Sequence, residues 1–247
     1  MRTEPSRSAA NLRANSADDT REFKQIELTL NPQPISKTSY RVLTLIEALT
    51  LACLIAAYIW RFQSVSANFW LVFPVWLVGS ILLHRDTPKT LGWRADNLWQ
   101  ATRQGWKILI AFVGAACLAG LASGTLHHLP PHVTELRRVL AYGAFCLLQQ
   151  VALNSYLTNR LLYAMEDVRP VAVLAGAIFA ALHWPNPVLV PLTFIGGATM
   201  SWLFARERNI LPLAAGQAVV GTLVWWALPA AWHHGMRVGP GYYSFHP

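Results

Sequence analysis

The sequence predicts an all-α protein: a polytopic transmembrane helix bundle of about seven spans. Three observations carry this. Hydrophobic residues make up 54% of the 247 residues, charged residues only 13%, and the mean hydropathy is +0.33; a soluble domain carries roughly 25% charged residues. The apolar residues gather into runs near the ~20 residues that a helix needs to cross ~30 Å of hydrocarbon. The basic residues, which give a formal net charge of +8, fall between those runs rather than in one patch. That distribution sets membrane topology and gives no reason to expect nucleic acid. Cys53, Cys117 and Cys146 all lie inside apolar runs, without metal-ligand spacing, and read as small buried residues.

Residues 1–40 are polar and lack a hydrophobic period, so a disordered cytoplasmic tail is expected there. No small-x-small cleavage site follows the first apolar run, which predicts that the run stays as a span. Spans are expected at about 43–60, 69–84, 105–123, 139–163, 171–184, 188–204 and 210–232. Between the second and third, a polar loop is expected to hold a short interfacial helix near Leu98 and Trp99. The short fifth span ends in His183-Trp184-Pro185-Asn186-Pro187, where two prolines stop it. Trp60, Trp70, Trp106, Trp184 and Trp232 stand at run ends, as expected for rings at the headgroup level. The chain then divides into the tail (1–40), N-terminal spans and loops (41–138), a helical core (139–232) and a C-terminal tail (233–247).

With seven spans the connections alternate sides. The stretch before the first span (Arg41 included), the 85–107 connection and the 160–169 and 206–208 turns hold 16 of the 20 basic residues, leaving Arg61, Arg137, Arg138 and Arg237 for the other side. The N-terminus is therefore expected in the cytoplasm.

The chemistry is concentrated in the last four spans. Gln149, Gln150, Asn154 and Thr158 interrupt the fourth; Gln150, Asn154 and Thr158 are spaced i, i+4, i+8 and are expected on one helix face. His183 closes the fifth, and the seventh carries Gln217 with Gly221 four residues on. Unpaired amides are costly in hydrocarbon, so these groups should face the bundle interior. They are expected either to glue helices together or to pool in one partly buried cavity, with His183 inside it or at its mouth. Interhelical hydrogen bonding at about 0.6–2 kcal/mol each is enough to account for the amides. His183 reads equally well as an interface histidine bonded to a backbone carbonyl. The pairs His127-His128 and His233-His234 are poorly placed to converge on one ion, so no metal or other cofactor is expected.

At these positions the chain resembles the CPBP family, the membrane-embedded CAAX prenyl endopeptidases and bacteriocin-processing (ABI) proteins. The family signature is Glu-Glu-x-x-x-Arg, then Phe-x-x-x-His, then His-x-x-x-Asn. Here the first motif reads Gln149-Gln150-Val151-Ala152-Leu153-Asn154, the second is intact from Phe179 to His183, and the third reads Gln217-Ala218-Val219-Val220-Gly221. Phe194-Ile195-Gly196-Gly197 and the turn from Arg206 to Pro212 also match the family's pattern.

The resemblance implies an intramembrane protease fold with His183, Gln149, Gln150, Asn154 and Gln217 at catalytic-motif positions, of which only His183 keeps the family residue. It also implies that catalysis is impaired. Glutamine has no basic lone pair for the proton of an attacking water, which removes a step contributing typically 10²–10⁴-fold. Gly221 offers no oxyanion donor, a contact of about 3–4 kcal/mol in comparable sites. The preferred expectation is a binding or scaffolding pseudo-protease in the lipid bilayer, holding a prenyl or lipid-like ligand or a partner membrane protein. The alternatives are an active, non-standard intramembrane endopeptidase, or an enzyme acting on an isoprenoid-like substrate through His183. The expected location is a bacterial inner membrane.

Overall fold

The computed structural model describes residues 37–66, 68–126 and 133–245. The proposed tail before residue 37, and His127, His128 and His132, lie outside the described residues. The described residues from Arg41 onward form one compact unit.

The described residues are helical throughout, with no strand among them. Helix α1 (Lys37–Ala57) continues through a π-helical turn (Tyr58–Phe62) into Gln63–Val65. Next come α2 (Val72–His84), α3 (Leu98–Ala122) and α4, a long run made of Val133–Gln150, π-helical Val151–Thr158 and Asn159–Met165. Helices α5 (Val168–Ala181), α6 (Leu189–Glu207) and α7 (Leu211–Ala227) follow, and two short turns of helix, α8 (Ala230–His233) and α9 (Pro240–Tyr243), close the described chain.

Seven helical stretches thus occupy the positions of the expected apolar runs, with differences at their ends. Leu98 and Trp99 begin α3 itself rather than a separate interfacial helix, because nothing between Leu98 and Gly105 breaks the helical run. Helix α7 stops at Ala227, five residues before the expected end: Pro229 follows Leu228, which takes up the extended backbone favoured before a proline. Residues 37–40, expected in the tail, are helical.

Thr38–Val65 (28 residues) and Leu98–Ala122 (25 residues) are long and apolar enough to cross a membrane; Phe69–His84, Val168–Ala181 and Leu211–Ala227 are shorter apolar helices. Large apolar side chains on their outer faces are left uncovered, Val75, Leu82, Leu83 and Leu118 among them. A surface of that kind is compatible with lipid. The five tryptophans at the run ends are each 44–58% exposed, which leaves their rings free to sit at a headgroup boundary. Of the cysteines, Cys146 is buried as expected, whereas Cys53 is exposed on the outer face of α1.

The core lies around the middle of α4, where every residue from Leu153 to Leu161 is buried. Leu153, Tyr156, Leu157 and Leu161 pack there with Ala48 and Leu51 of α1 and with Val171, Ala175 and Phe179 of α5. Helices α5 and α6 meet at Gly176 and Gly197. A Cβ at Gly176 would stand 2.7 Å from Ala198 N and Phe194 O, so the two backbones approach as only small residues allow. This contact sets the spacing of the helices that flank the site.

Candidate functional site: an amide chain beside an apolar cavity

The motif residues come together as one hydrogen-bonded chain of side-chain amides. Asn154 Nδ2 donates to Gln150 Oε1 (2.5 Å), Gln150 Nε2 donates to Gln217 Oε1 (2.6 Å), and Gln217 Nε2 donates to Gln149 Oε1 (2.6 Å). Gln150 Nε2 also reaches Met200 Sδ on α6 at 3.0 Å. The chain ties α4 to α7 and runs in one direction. Asn154 Oδ1, at its closed end, is buried without a partner, and the Gln149 amide group stands at its open end. Gln150 and Asn154 are fully buried, so their polar atoms are held by this chain instead of by water.

Local backbone geometry explains the arrangement. Val151–Thr158 is π-helical, a form that clusters at functional sites. Its wider turns need more residues than an α-helix to come round. Gln150 and Asn154 remain in contact, but Thr158 is carried away from them: its Oγ1 lies 2.8 Å from Leu153 O and 2.9 Å from Ser201 Oγ. The expectation that all three share one face therefore holds for two of them.

Gln149, Gln217 and His183 line a common cavity of about 790 Å³, enclosed by side chains from α1 to α7 and by Met236 and Val238 of the C-terminal segment. Among the described residues that line it, none is charged. His183 sits in the turn after α5, and its Nδ1 is 2.7 Å from Phe179 O. A carbonyl only accepts, so Nδ1 carries the proton and Nε2 keeps its lone pair. The Phe179 ring packs edge-on against the imidazole at 4.7 Å, so the intact Phe-x-x-x-His motif supplies both the ring's partner and its wall. Gly221 lies in the wall as well, and the space beside it is taken by Tyr142: a Cβ at 221 would stand 2.8 Å from the phenol ring and closer still to its hydroxyl.

A second polar cluster meets the cavity lining at Tyr156. Arg160, expected in the turn after the fourth span among the residues that set topology, is instead fully buried. Its Nη2 lies 2.5 Å from Asp86 Oδ2 and 2.7 Å from Ser80 Oγ, and its Nε lies 3.6 Å from Glu47 Oε1. Glu47 Oε2 pairs with His84 Nε2 at 2.7 Å. The Tyr156 hydroxyl donates to Glu47 O and accepts from Trp76 Nε1, which ties α1, α2 and α4 together. The sequence signal was Glu47, a carboxylate in the middle of the first apolar run, where such a residue needs an internal partner. The partner was not legible, because Asp86 and Arg160 are 74 positions apart and meet only in the fold.

The C-terminal segment is fastened by Asn186. Its side-chain Nδ2 donates to His233 O (2.7 Å) and Arg237 O (3.0 Å), while Oδ1 accepts from Val188 N and Leu189 N at the start of α6. His233 is buried, its Nδ1 has no partner, and burial holds its imidazole below the ordinary histidine value. Among the described residues, no three His, Cys, Asp or Glu side chains are grouped to hold a metal.

Fold and site together define an all-helical protein with apolar outer helices that fit an integral membrane protein, and a neutral amide cluster beside an apolar cavity. Residues 139–223, which contain α4 from its second turn through most of α7, match the Rce1-like family, described as type II CAAX prenyl endopeptidase Rce1-like. The match supports the CPBP resemblance read from the motifs, and covers about a third of the chain. No curated protein and no solved structure matches the chain.

Proposed function

We propose that this CAAX-protease-like membrane protein acts as a pseudo-protease, a binding or scaffolding module whose cavity holds a lipid-like ligand. The observation that carries the reading is the neutral amide chain at the motif positions. Gln149, Gln150 and Gln217 satisfy one another, and among the described residues no carboxylate lines the cavity to take a proton from water. A cavity of about 790 Å³ bounded mostly by aliphatic and aromatic side chains is of the size and character that holds an apolar ligand.

In this reading α1–α7 are the seven spans, 1–40 is a cytoplasmic tail, 41–138 the N-terminal spans and loops, 139–232 the CPBP-like core and 233–247 the C-terminal tail. The protein resides in a bacterial inner membrane with its N-terminus in the cytoplasm. Purification in mild detergent followed by mass spectrometry of co-purifying lipids tests the binding role. Retention of a defined lipid by the wild type, and its loss when the cavity is blocked by Gly216→Trp, is the expected result; a protein stripped of every lipid yet able to cleave a membrane substrate would overturn it.

The free Nε2 lone pair of His183, facing the cavity, favours a second reading, in which His183 is the base of a residual endopeptidase or of an enzyme acting on an isoprenoid-like substrate. Loss of substrate turnover in His183→Ala, with lipid retention unchanged, would select it.

A further inference from the structure

At the position where the family signature has asparagine, this chain has Gly221, and the space a side chain would fill there is occupied from another helix. The phenol of Tyr142, on α4 two turns before Gln149, lies over Gly221 so closely that a Cβ at 221 would overlap its hydroxyl. Glycine at 221 and tyrosine at 142 are therefore one steric solution: the first makes room and the second fills it. Tyr142 lines the cavity together with Gln149, Gln217 and His183. Its hydroxyl has the Cys146 thiol, one helical turn away, as a hydrogen-bond partner. A thiol is a weak partner, and a phenol can both donate and accept, so most of the hydroxyl's bonding capacity is left for a ligand.

The polar groups around the cavity specify what that ligand's head must be. Gln149 Oε1 is taken by Gln217, so Gln149 offers N–H donors. His183 Nδ1 is taken by Phe179 O, so His183 offers an acceptor. Tyr142 does both. Among the described lining residues there is no cation to neutralise an anionic head and no carboxylate to neutralise a cationic one, and a bare charge in such surroundings is expensive. The smallest head that donates and accepts without carrying charge is a hydroxyl.

We propose that Tyr142 is the specificity-determining residue of the cavity, its hydroxyl hydrogen-bonding the head of a long-chain alcohol whose apolar tail fills the remaining volume. The proposal rests on the lipid-binding reading above and adds the identity of the head group and of the residue that reads it.

The test is competition photo-crosslinking on the purified full-length protein in nanodiscs. The probes are hexadecanol carrying a diazirine in its chain, the corresponding hydrocarbon and the corresponding carboxylic acid. Wild type should bind the alcohol roughly five- to tenfold more tightly than the hydrocarbon, the ratio expected for about one net hydrogen bond, and more tightly than the acid. Tyr142→Phe, which keeps the ring and loses only the hydroxyl, should erase the preference for alcohol while leaving hydrocarbon binding unchanged. Gly221→Ala, which forces the phenol aside, should reduce the preference as well. If the wild type binds alcohol and hydrocarbon equally, or Tyr142→Phe keeps the preference, Tyr142 does not read the head and the inference falls while the lipid-binding function stands. A wild type that binds none of the three probes overturns both.

Discussion

Gln150 donates to Gln217 across the interface of α4 and α7 at 2.6 Å, and both residues stand at positions where the resembled family carries titrating groups. The bond joins residues 67 positions apart on two helices, and its atoms are also the middle of the amide chain.

Gln150→Leu should destabilise the protein by about 1–2 kcal/mol, since it leaves the Asn154 N–H and Gln217 Oε1 groups without their partners in a buried site. Denaturant titration of the purified protein in detergent measures the change. Gln150→Glu should cost more than Gln150→Leu, because the carboxylate would face Gln217 Oε1 with no cation among the described residues of the cavity wall.

Gly221→Asn should be destabilising on its own and rescued by Tyr142→Gly, because the added side chain and the phenol compete for one volume. The double-mutant cycle should show a coupling of about 1–3 kcal/mol. Additive effects would show that the two residues do not share that space.

Asp86→Ala should cost about 3–5 kcal/mol, since it leaves the fully buried Arg160 guanidinium short of a counter-charge, and the paired change Asp86→Leu with Arg160→Met should cost less. The measurement is the thermal midpoint of each variant. Arg160 Nη1 is already buried without a partner, and the Glu47 carboxylate lies only at 3.6 Å from Nε, so the loss of Asp86 is not made good.

Acidification should loosen the C-terminal segment. Burial lowers the His233 value in the fold, so the neutral ring is the form the fold favours. Its contribution is fully present above the unfolded value of about 6.5 and is lost as pH falls from there through the lowered folded value. The neighbouring His234 side chain lowers the His233 value further. Hydrogen-exchange protection across residues 229–243, taken relative to the intrinsic exchange rate at each pH, should therefore fall between pH 7.5 and 5, and His233→Gln should remove that dependence.

Much of this architecture was legible in one dimension. Apolar run length located all seven main helices, because crossing or burying a helix demands a sustained apolar composition whatever surrounds it. Polar residues inside such a run must find partners, so Gln149, Gln150, Asn154 and Gln217 could be marked as inward-facing before any of those partners was known. The prolines at 185 and 187 foretold a histidine at a helix end, and the structure supplies its carbonyl partner four residues back. Where the reading stopped short, the cause was local backbone geometry or distance along the chain. Nothing in Val151–Thr158 announces π-helical turns, and those turns decide that Thr158 leaves the face of Gln150 and Asn154.

The amino-acid sequence by itself determined the helical class, the apolar segments and the absence of charge at the motif positions, since these depend on composition and spacing alone. Only the tertiary structure decided which amide bonds which, that Tyr142 fills the place beside Gly221, and that Glu47, Asp86 and Arg160 share one buried cluster. Those relations join residues far apart in the chain, and a side chain's partner is set by how helices pack against one another, which no local pattern encodes.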